Sequence, residues 1–166
     1  MKRWLVRLGL LAGLLALGFW GWGVLFPGPE QVIRRRLDAL ARAAAIAPNE
    51  TPLARLYRAQ KLGEFFTPGV EVAVEMRGYA PHNLSGRDEL VQAAAAARSA
   101  VGSLTVELMD VHVTLAADKQ SALVNLTAKV NLLGESAPQP QELKVNFKKV
   151  GSQWLIDRAE TVRPLR

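Results

Sequence analysis

The sequence contains no cysteine, so the chain forms no disulfide and offers no thiolate ligand for zinc, no cysteine nucleophile and no cysteine for a lipid anchor. Histidine is almost as scarce, with 2 residues in 166, which argues against a histidine-based metal site. No phosphate-binding loop or nucleophile elbow is present. The sequence therefore predicts no metal and no cofactor. Its length suits one domain with a short appendage.

An excess of charge large enough for nucleic-acid binding is also missing. The formal net charge is +6, but Lys2, Arg3 and Arg7 stand together at the N-terminus. Without these three, 18 Lys and Arg face 15 Asp and Glu. Basic stretches interleaved with aromatic residues are absent as well. We therefore expect no nucleic-acid partner.

An uncharged apolar run occupies residues 8–26. Its 19 residues would span about 28 Å as a helix, close to the ~30 Å hydrocarbon core of a bilayer. Trp4 stands at one end, with Trp20 and Trp22 toward the other, where aromatic rings favour the headgroup level. This pattern predicts a transmembrane anchor over residues 1–27, with membrane contact through residues 5–26.

The flanking charges predict the orientation of this anchor. Basic residues precede the run and none follows at once, which places the N-terminus in the cytoplasm and residues 28–166 on the periplasmic or outer side of the inner (cell) membrane. The arginines at 34–36 weaken this bias. A cleaved signal peptide is the alternative, but its apolar core is usually only about 7–15 residues. A buried helix of a soluble protein fits less well, because the run is apolar all round.

The pattern beyond Pro27 predicts three helices and one early strand. Apolar residues recur at helical spacing over residues 30–47, and a second helix starts with Thr51 as N-cap and Pro52 at its first position. On that helix, apolar and neutral residues share one face: Leu53, Leu56, Tyr57 and Gln60. Strict alternation over residues 70–76 predicts a strand. Ser85 and Asp88 have capping-box spacing ahead of the third helix.

Four further strands are predicted after Gly102. In the first, apolar residues switch from even to odd positions near Met109 and Asp110, which indicates a β-bulge. The last two form a hairpin that turns at Gly151 and Ser152. We therefore predict an α+β fold, in which an N-terminal transmembrane helix precedes a cone-shaped domain with three helices packed on a bent antiparallel sheet.

This order of elements resembles the nuclear transport factor 2-like (SnoaL-like, cystatin-like) cone fold. The resemblance rests on "LGEFFTPGVEVAVEM", on "SGRDEL" opening the third helix and on the terminal "GSQWLIDRAE" hairpin, and it covers residues 30–162. It implies a domain over residues 28–166, with Trp154 filling the core. Another α+β roll is the alternative. Members of this superfamily include isomerases, cyclases and dehydratases, but also binding modules and membrane-anchored assembly scaffolds, so the fold alone assigns no activity.

Few titratable residues are placed for chemistry inside such a cone. Tyr57, His82 and Asp110 are the pocket candidates, because helix, loop and bulge lie near the cone mouth in this fold, and Tyr with Asp suits enolisation of a ketone. The strands offer mostly aliphatic side chains and no clear inward acid. The competing interpretation places His82 and His112 on the surface and Tyr57 at the edge of the core. We accordingly assign no catalytic residue.

Arg34, Arg35 and Arg36 are the candidate membrane-surface residues. If the first helix leaves the bilayer directly, their side chains come within reach of anionic headgroups. A solvated helix face explains the same residues equally well.

The leading interpretation is a non-catalytic, membrane-anchored binding or assembly module, with a membrane protein as one candidate partner. It would form a homodimer through the sheet face that carries four alternating polar residues, Asn125, Thr127, Lys129 and Asn131. The alternative is a small-molecule enzyme or ligand sensor, isomerase-like or dehydratase-like, with a pocket in the cone. A cone filled by apolar side chains favours the first, and an open cone with a buried carboxylate favours the second.

Overall fold

The computed structural model describes residues 27–74, 82–132 and 140–162. They form three helices, α1 (Pro29–Ala44), α2 (Pro52–Gly63) and α3 (Arg87–Ala100). The six strands are β1 (Phe66–Val74), β2 (His82–Ser85), β3 (Leu104–Leu115), β4 (Ser121–Leu132), β5 (Pro140–Val150) and β6 (Gln153–Thr161).

The helix starts agree with the sequence in one case and differ in another. The Thr51 side chain accepts a hydrogen bond from the Ala54 amide at 3.3 Å, which confirms the predicted N-cap of α2. The predicted capping box of α3 is wrong. Its N-cap is Gly86, with φ +94°, a conformation that glycine adopts without steric cost. The Glu89 carboxylate instead accepts from the Ser85 amide at 2.8 Å.

The six strands form one sheet in the order β2-β1-β6-β5-β4-β3. Four of the five neighbouring pairs are antiparallel, but β1 and β6 run parallel. The prediction of an antiparallel sheet is therefore wrong at this pair, and the sheet is mixed. Alternation along a strand reports which face is buried, not the direction of the neighbouring strand. His82, which the sequence places in a loop, belongs instead to an edge strand, residues 82–85, that pairs with β1.

The predicted β-bulge lies where the parity of apolar residues changes. Pairing between β3 and β4 shifts between Met109 and His112, and Asp110 has φ +51°. As a result Leu108 and Val111 both pack against the core although they are three residues apart.

The core lies between the helices and the inner face of the sheet. Trp154 and Phe147 are 3% and 1% exposed, which confirms that Trp154 fills the core. Ile33 and Leu37 of α1 pack against the same cluster. The other buried members of this cluster are Phe66, Val70, Leu90, Ala122, Val124, Leu126, Ala128, Val145 and Ile156.

Helix α2 packs on α3 and α1, and its half-buried Leu62 packs against the core cluster. Its buried residues are Ala59 and Gly63. Its apolar face, by contrast, points to solvent, because Leu53 is 79%, Leu56 52% and Tyr57 59% exposed. The placement of Tyr57 at the core edge is therefore wrong.

Within the described residues, no helix has the length and apolar character needed to cross a bilayer. The predicted anchor, residues 1–27 with membrane contact through 5–26, lies outside them except for Pro27. Both the anchor and the domain boundary at residue 28 stay predictions.

The close contact at Gly63 gives a first testable expectation. A Cβ atom at this position would lie 2.7 Å from Val91 Cγ2, well inside ordinary contact distance. Gly63→Ala should therefore lower the free energy of unfolding by about 1 kcal/mol, even though alanine is the better helix former. Chemical denaturation of the variant measures this cost. Adding Val91→Ala should reduce it, and Gly102→Ala, which meets no atom within 4 Å, is the matched control. Equal effects at Gly63 and Gly102 would contradict the steric explanation.

Candidate functional site

A groove of about 600 Å³ lies at the end of the sheet where β3 turns into β4. Strands β3, β4, β5 and β6 all contribute to its lining. Leu123 pairs with Asn146 across β4 and β5, on the face opposite the buried Val124. Core-facing Ala122 and Phe147, the next pair in register, also border the groove.

The groove combines an apolar lining with a few charged groups. Leu115 and Leu123 provide aliphatic surface. Lys148 and Lys149 at the end of β5 supply positive charge, and Asp118 and Asp157 supply carboxylates. Apolar walls with a small number of polar groups are typical of small-molecule sites.

Asp157 is held in place from the neighbouring strand β1. The Thr67 hydroxyl donates a 3.0 Å hydrogen bond to Asp157 Oδ1, and Thr67 itself is only 5% exposed. Asp157 lies at the irregularity where pairing between β5 and β6 shifts past Asn146 and Phe147. Such irregularities re-aim side chains, which brings this carboxylate to the groove.

A second polar group lies on the inner face of the cone. Gln141 of β5 has the same parity as Leu143, Val145 and Phe147 and pairs with the buried Ala128. Its side-chain oxygen is buried and has no hydrogen-bond partner among the described residues. An unpaired buried carbonyl costs about 1–3 kcal/mol. Gln141 lies at the other end of β5 from the groove, opposite Ala128 rather than Ala122, so it does not take part in the groove.

Among the residues that the structure describes, the most deeply buried charged side chain serves the fold. Arg98 of α3 is 2% exposed and forms an ion pair at 3.2 Å with Glu50, whose side chain is 3% exposed. Its guanidinium also donates to the backbone carbonyls of Ala43 and Ala45 at the end of α1. Arg58 contacts the same Glu50 carboxylate at 3.1 Å. This cluster joins all three helices.

The structure does not bring Tyr57, His82 and Asp110 together. Tyr57 is exposed on α2, with the Lys61 ammonium 5.9 Å from its ring centre. Asp110 is exposed on β3, and His82 belongs to β2, so these two lie on opposite edges of the six-stranded sheet. Exposed His112 faces away from the core. The role of these three residues in catalysis stays a prediction.

Two of the three candidate membrane-surface arginines make contacts inside the domain. Arg34 donates to the Glu30 carboxylate and, at 2.8 Å, to the Val111 carbonyl. Arg36 donates to the Glu64 carbonyl at 2.7 Å. Burial lowers the pKa of Arg36, and the nearby Glu64 charge partly opposes this effect. Arg35 alone is fully on the exposed side of α1.

The polar sheet face proposed for dimerisation carries contacts of its own. Lys129 lies 3.9 Å from the Glu107 carboxylate, and the Asn131 amide donates to Thr105 at 3.4 Å. Both contacts join β4 to the edge strand β3. Dimerisation through this face stays a prediction.

Neither Asp157 nor Arg98 is among the residues predicted from the sequence, although the sequence carries a signal for each. Asp157 directly follows three buried residues, so its carboxylate is expected to have a hydrogen-bond partner or a function. Arg98 stands four and eight residues after Ala94 and the buried Leu90, on one helical face. Helical periodicity therefore places its charge inside.

Comparison with solved structures identifies the fold. A protein from Streptomyces avermitilis, provisionally named a dehydratase of the nuclear transport factor 2-like family, superposes with a TM-score of 0.61 at 19% identity, over 82% of this chain and 96% of that one. A nuclear transport factor 2-like protein with a cystatin-like fold from Novosphingobium aromaticivorans gives 0.58 at 18% identity, over 97% and 88%. A protein from the same organism, provisionally named an aromatic ring hydroxylase, gives 0.62 at 12% identity, over 82% and 89%.

No family model and no curated protein matches the sequence. The chain thus has the nuclear transport factor 2-like, cystatin-like α+β fold, with three helices on a six-stranded mixed sheet. Likeness at such low identity establishes the fold alone.

Proposed function

We propose that this chain is a membrane-tethered domain, on the outer side of the cell membrane, that binds a small organic molecule in the groove at the β3–β4 turn. The observation that carries the proposal is the groove itself. Its volume of about 600 Å³ falls within the about 300–1,000 Å³ typical of small-molecule sites.

The charges of the groove indicate the class of ligand. Lys148, on the same sheet face as Leu123, lines the groove together with Leu115 and Leu123. A ligand with an apolar body and one anionic group, such as an aromatic carboxylate, would satisfy both features. Asp157, fixed by Thr67, would accept a hydrogen bond from a hydroxyl on the same ligand.

The membrane tether in this proposal is supported by the sequence. The uncharged run at residues 8–26 is long enough to cross a bilayer, and basic residues precede it. A ligand-binding domain held this way would sample molecules outside the cytoplasm.

Enzymatic conversion of a small molecule is the second candidate, and the comparison with solved structures favours it. Structures of the same fold carry names of small-molecule enzymes, a dehydratase and an aromatic ring hydroxylase. These favour small-molecule chemistry over a purely structural module.

One experiment tests binding and conversion together. The full chain in lipid nanodiscs is incubated with a panel of hydroxylated aromatic carboxylates, and saturation-transfer NMR detects which ones bind. Leu123→Asp should weaken binding about tenfold, because it places a negative charge beside the ligand's apolar body and acid group. Asn125→Asp, two residues further on the same strand face, is the matched control and should leave binding unchanged.

The outcomes separate the two candidates. Binding that is lost in Leu123→Asp, with ligand signals unchanged over time, supports a binding domain. New signals that show loss of water or isomerisation would support an enzyme. Equal binding by both variants would contradict the groove as the site.

A further inference from the structure

Helix α2 presents an apolar and basic surface that nothing in the described domain covers. Leu53, Leu56 and Tyr57 are spaced three and four residues apart, so their exposed side chains form one patch on the helix. Exposed apolar side chains that adjoin one another make a helix face a candidate interaction surface, whereas singly scattered ones are ordinary.

The charges along α2 have one sign. The helix, PLARLYRAQKLG, contains Arg55, Arg58 and Lys61 and no acidic residue. The side chains of Arg58 and Lys61 are each about half exposed, 47% and 48%. Glu50 pairs with Arg58 but also with Arg98, so this cluster of three keeps a positive charge. Glu64 pairs with Lys61 at 3.1 Å.

Because α2 lies on the outside of the domain, its patch can contact a flat surface. The helix packs on α3 and α1, whereas α1 and α3 lie against the sheet. It is therefore the outer element on the helical side of the domain. Arg36 of α1 donates to the carbonyl of Glu64, just past the end of α2, which fixes the two helices in one unit.

The uncharged run of residues 8–26 ends only two residues before α1 starts at Pro29. A chain that leaves a bilayer at residue 26 would hold α1, and with it α2, close to the headgroups. The prolines at 27 and 29 interrupt a continuous helix, so α1 can lie along the surface instead of projecting from it.

We propose that α2 lies on the membrane surface, with Leu53, Leu56 and Tyr57 inserted among anionic headgroups and Arg58 and Lys61 contacting their phosphates. An apolar face flanked by basic residues is the pattern of a helix that binds in the membrane interface. The inference rests on the tether of the proposed function and adds an orientation to it. The helical side faces the lipid, and the groove at the sheet remains open to the surroundings.

The absence of cysteine makes the test direct, because a single introduced cysteine carries the only label. Gln60→Cys places an environment-sensitive fluorophore on the patch without removing an inserted residue, and Asn125→Cys places it on the far face of the sheet as the control. The full chain is reconstituted in vesicles of phosphatidylcholine with phosphatidylglycerol, and lipids with a quencher at headgroup depth are added. Emission at residue 60 should fall roughly twofold more than emission at residue 125.

Further measurements distinguish attachment through the predicted anchor from contact of α2 with the lipid. Flotation with the vesicles at high salt reports the tether alone. Leu56→Glu in the Gln60→Cys background should abolish quenching while the chain still floats, and omitting phosphatidylglycerol should reduce quenching. A chain that floats with an unquenched label at residue 60 overturns the contact and leaves the tether intact. If the label at residue 60 is shielded to a degree that rises with the protein-to-lipid ratio, and the lipid quencher has no effect on it, a second copy of the chain covers the patch. That result also overturns the proposal. A chain that fails to float refutes the tether itself.

Discussion

Arg98→Met should lower the free energy of unfolding by about 3–5 kcal/mol, the range for breaking a buried ion pair by removal of one partner. The variant leaves Glu50, 3% exposed, with a charge that only half-exposed Arg58 compensates. It also removes the donor to the carbonyls of Ala43 and Ala45, which close α1. Urea denaturation of the full chain in mild detergent, followed by circular dichroism, measures the loss.

The control for this prediction is an ion pair of similar length on the surface. Arg158 lies 3.2 Å from the Glu71 carboxylate, but its side chain is 50% exposed. Arg158→Met should cost less than about 1 kcal/mol, because water solvates the carboxylates of Glu71 and Glu160 once their partner is removed. If the two variants lose the same stability, the buried cluster contributes nothing beyond an ordinary surface pair. Glu50→Gln combined with Arg98→Met should cost less than the sum of the two single changes, since both remove one interaction.

Trp154→Ala should also cost about 3–5 kcal/mol, as expected when a large buried aromatic side chain is deleted from a packed core. Trp154 is 3% exposed and is the second residue of β6, just after the turn at Gly151 and Ser152. Ile156 and Phe147, both buried, pack in the same cluster and cannot refill the volume without moving the sheet. Thermal unfolding of the full chain should show a midpoint lower by about 10 °C.

Two control variants test whether the loss of stability is due to removal of the buried indole ring. Trp154→Phe retains an aromatic ring and should cost about half as much or less. Leu53→Ala, at a position that is 79% exposed, should leave the midpoint nearly unchanged. A Trp154→Ala midpoint as high as that of Leu53→Ala would show that the indole is not part of the core.

The sequence predicts much of this fold because alternation and helical spacing report burial directly. The parity switch at Met109 located the bulge, and the Thr51-Pro52 pair located the start of α2. These signals are local: each depends on a few neighbouring residues. The parallel pairing of β1 with β6 depends instead on residues 66 and 156, far apart in the chain, and no local pattern encodes it.

The candidate site was harder to predict for the same reason. Asp157 reaches the groove because of a register shift between β5 and β6, and its partner Thr67 lies 90 residues away. The resemblance predicts that Tyr57 lies near the mouth of the cone. In the structure, α2 packs through Ala59, and Tyr57 points outward. Helical periodicity shows which residues share a face of the helix. Which of these faces is buried depends on the neighbouring helix, and the periodicity does not report it.

The place of β6 in the sheet has a consequence for how the domain is made. This strand, the last one described, lies between β5 and β1 and joins the early part of the chain to the late hairpins. A ribosome would have to release residue 161 before β1 and β2 gain the neighbour that connects them to the rest of the sheet. During transport of an extended chain across a membrane, β3, β4 and β5 could therefore pair early, whereas β1 and β2 would stay separate from them until β6 has emerged.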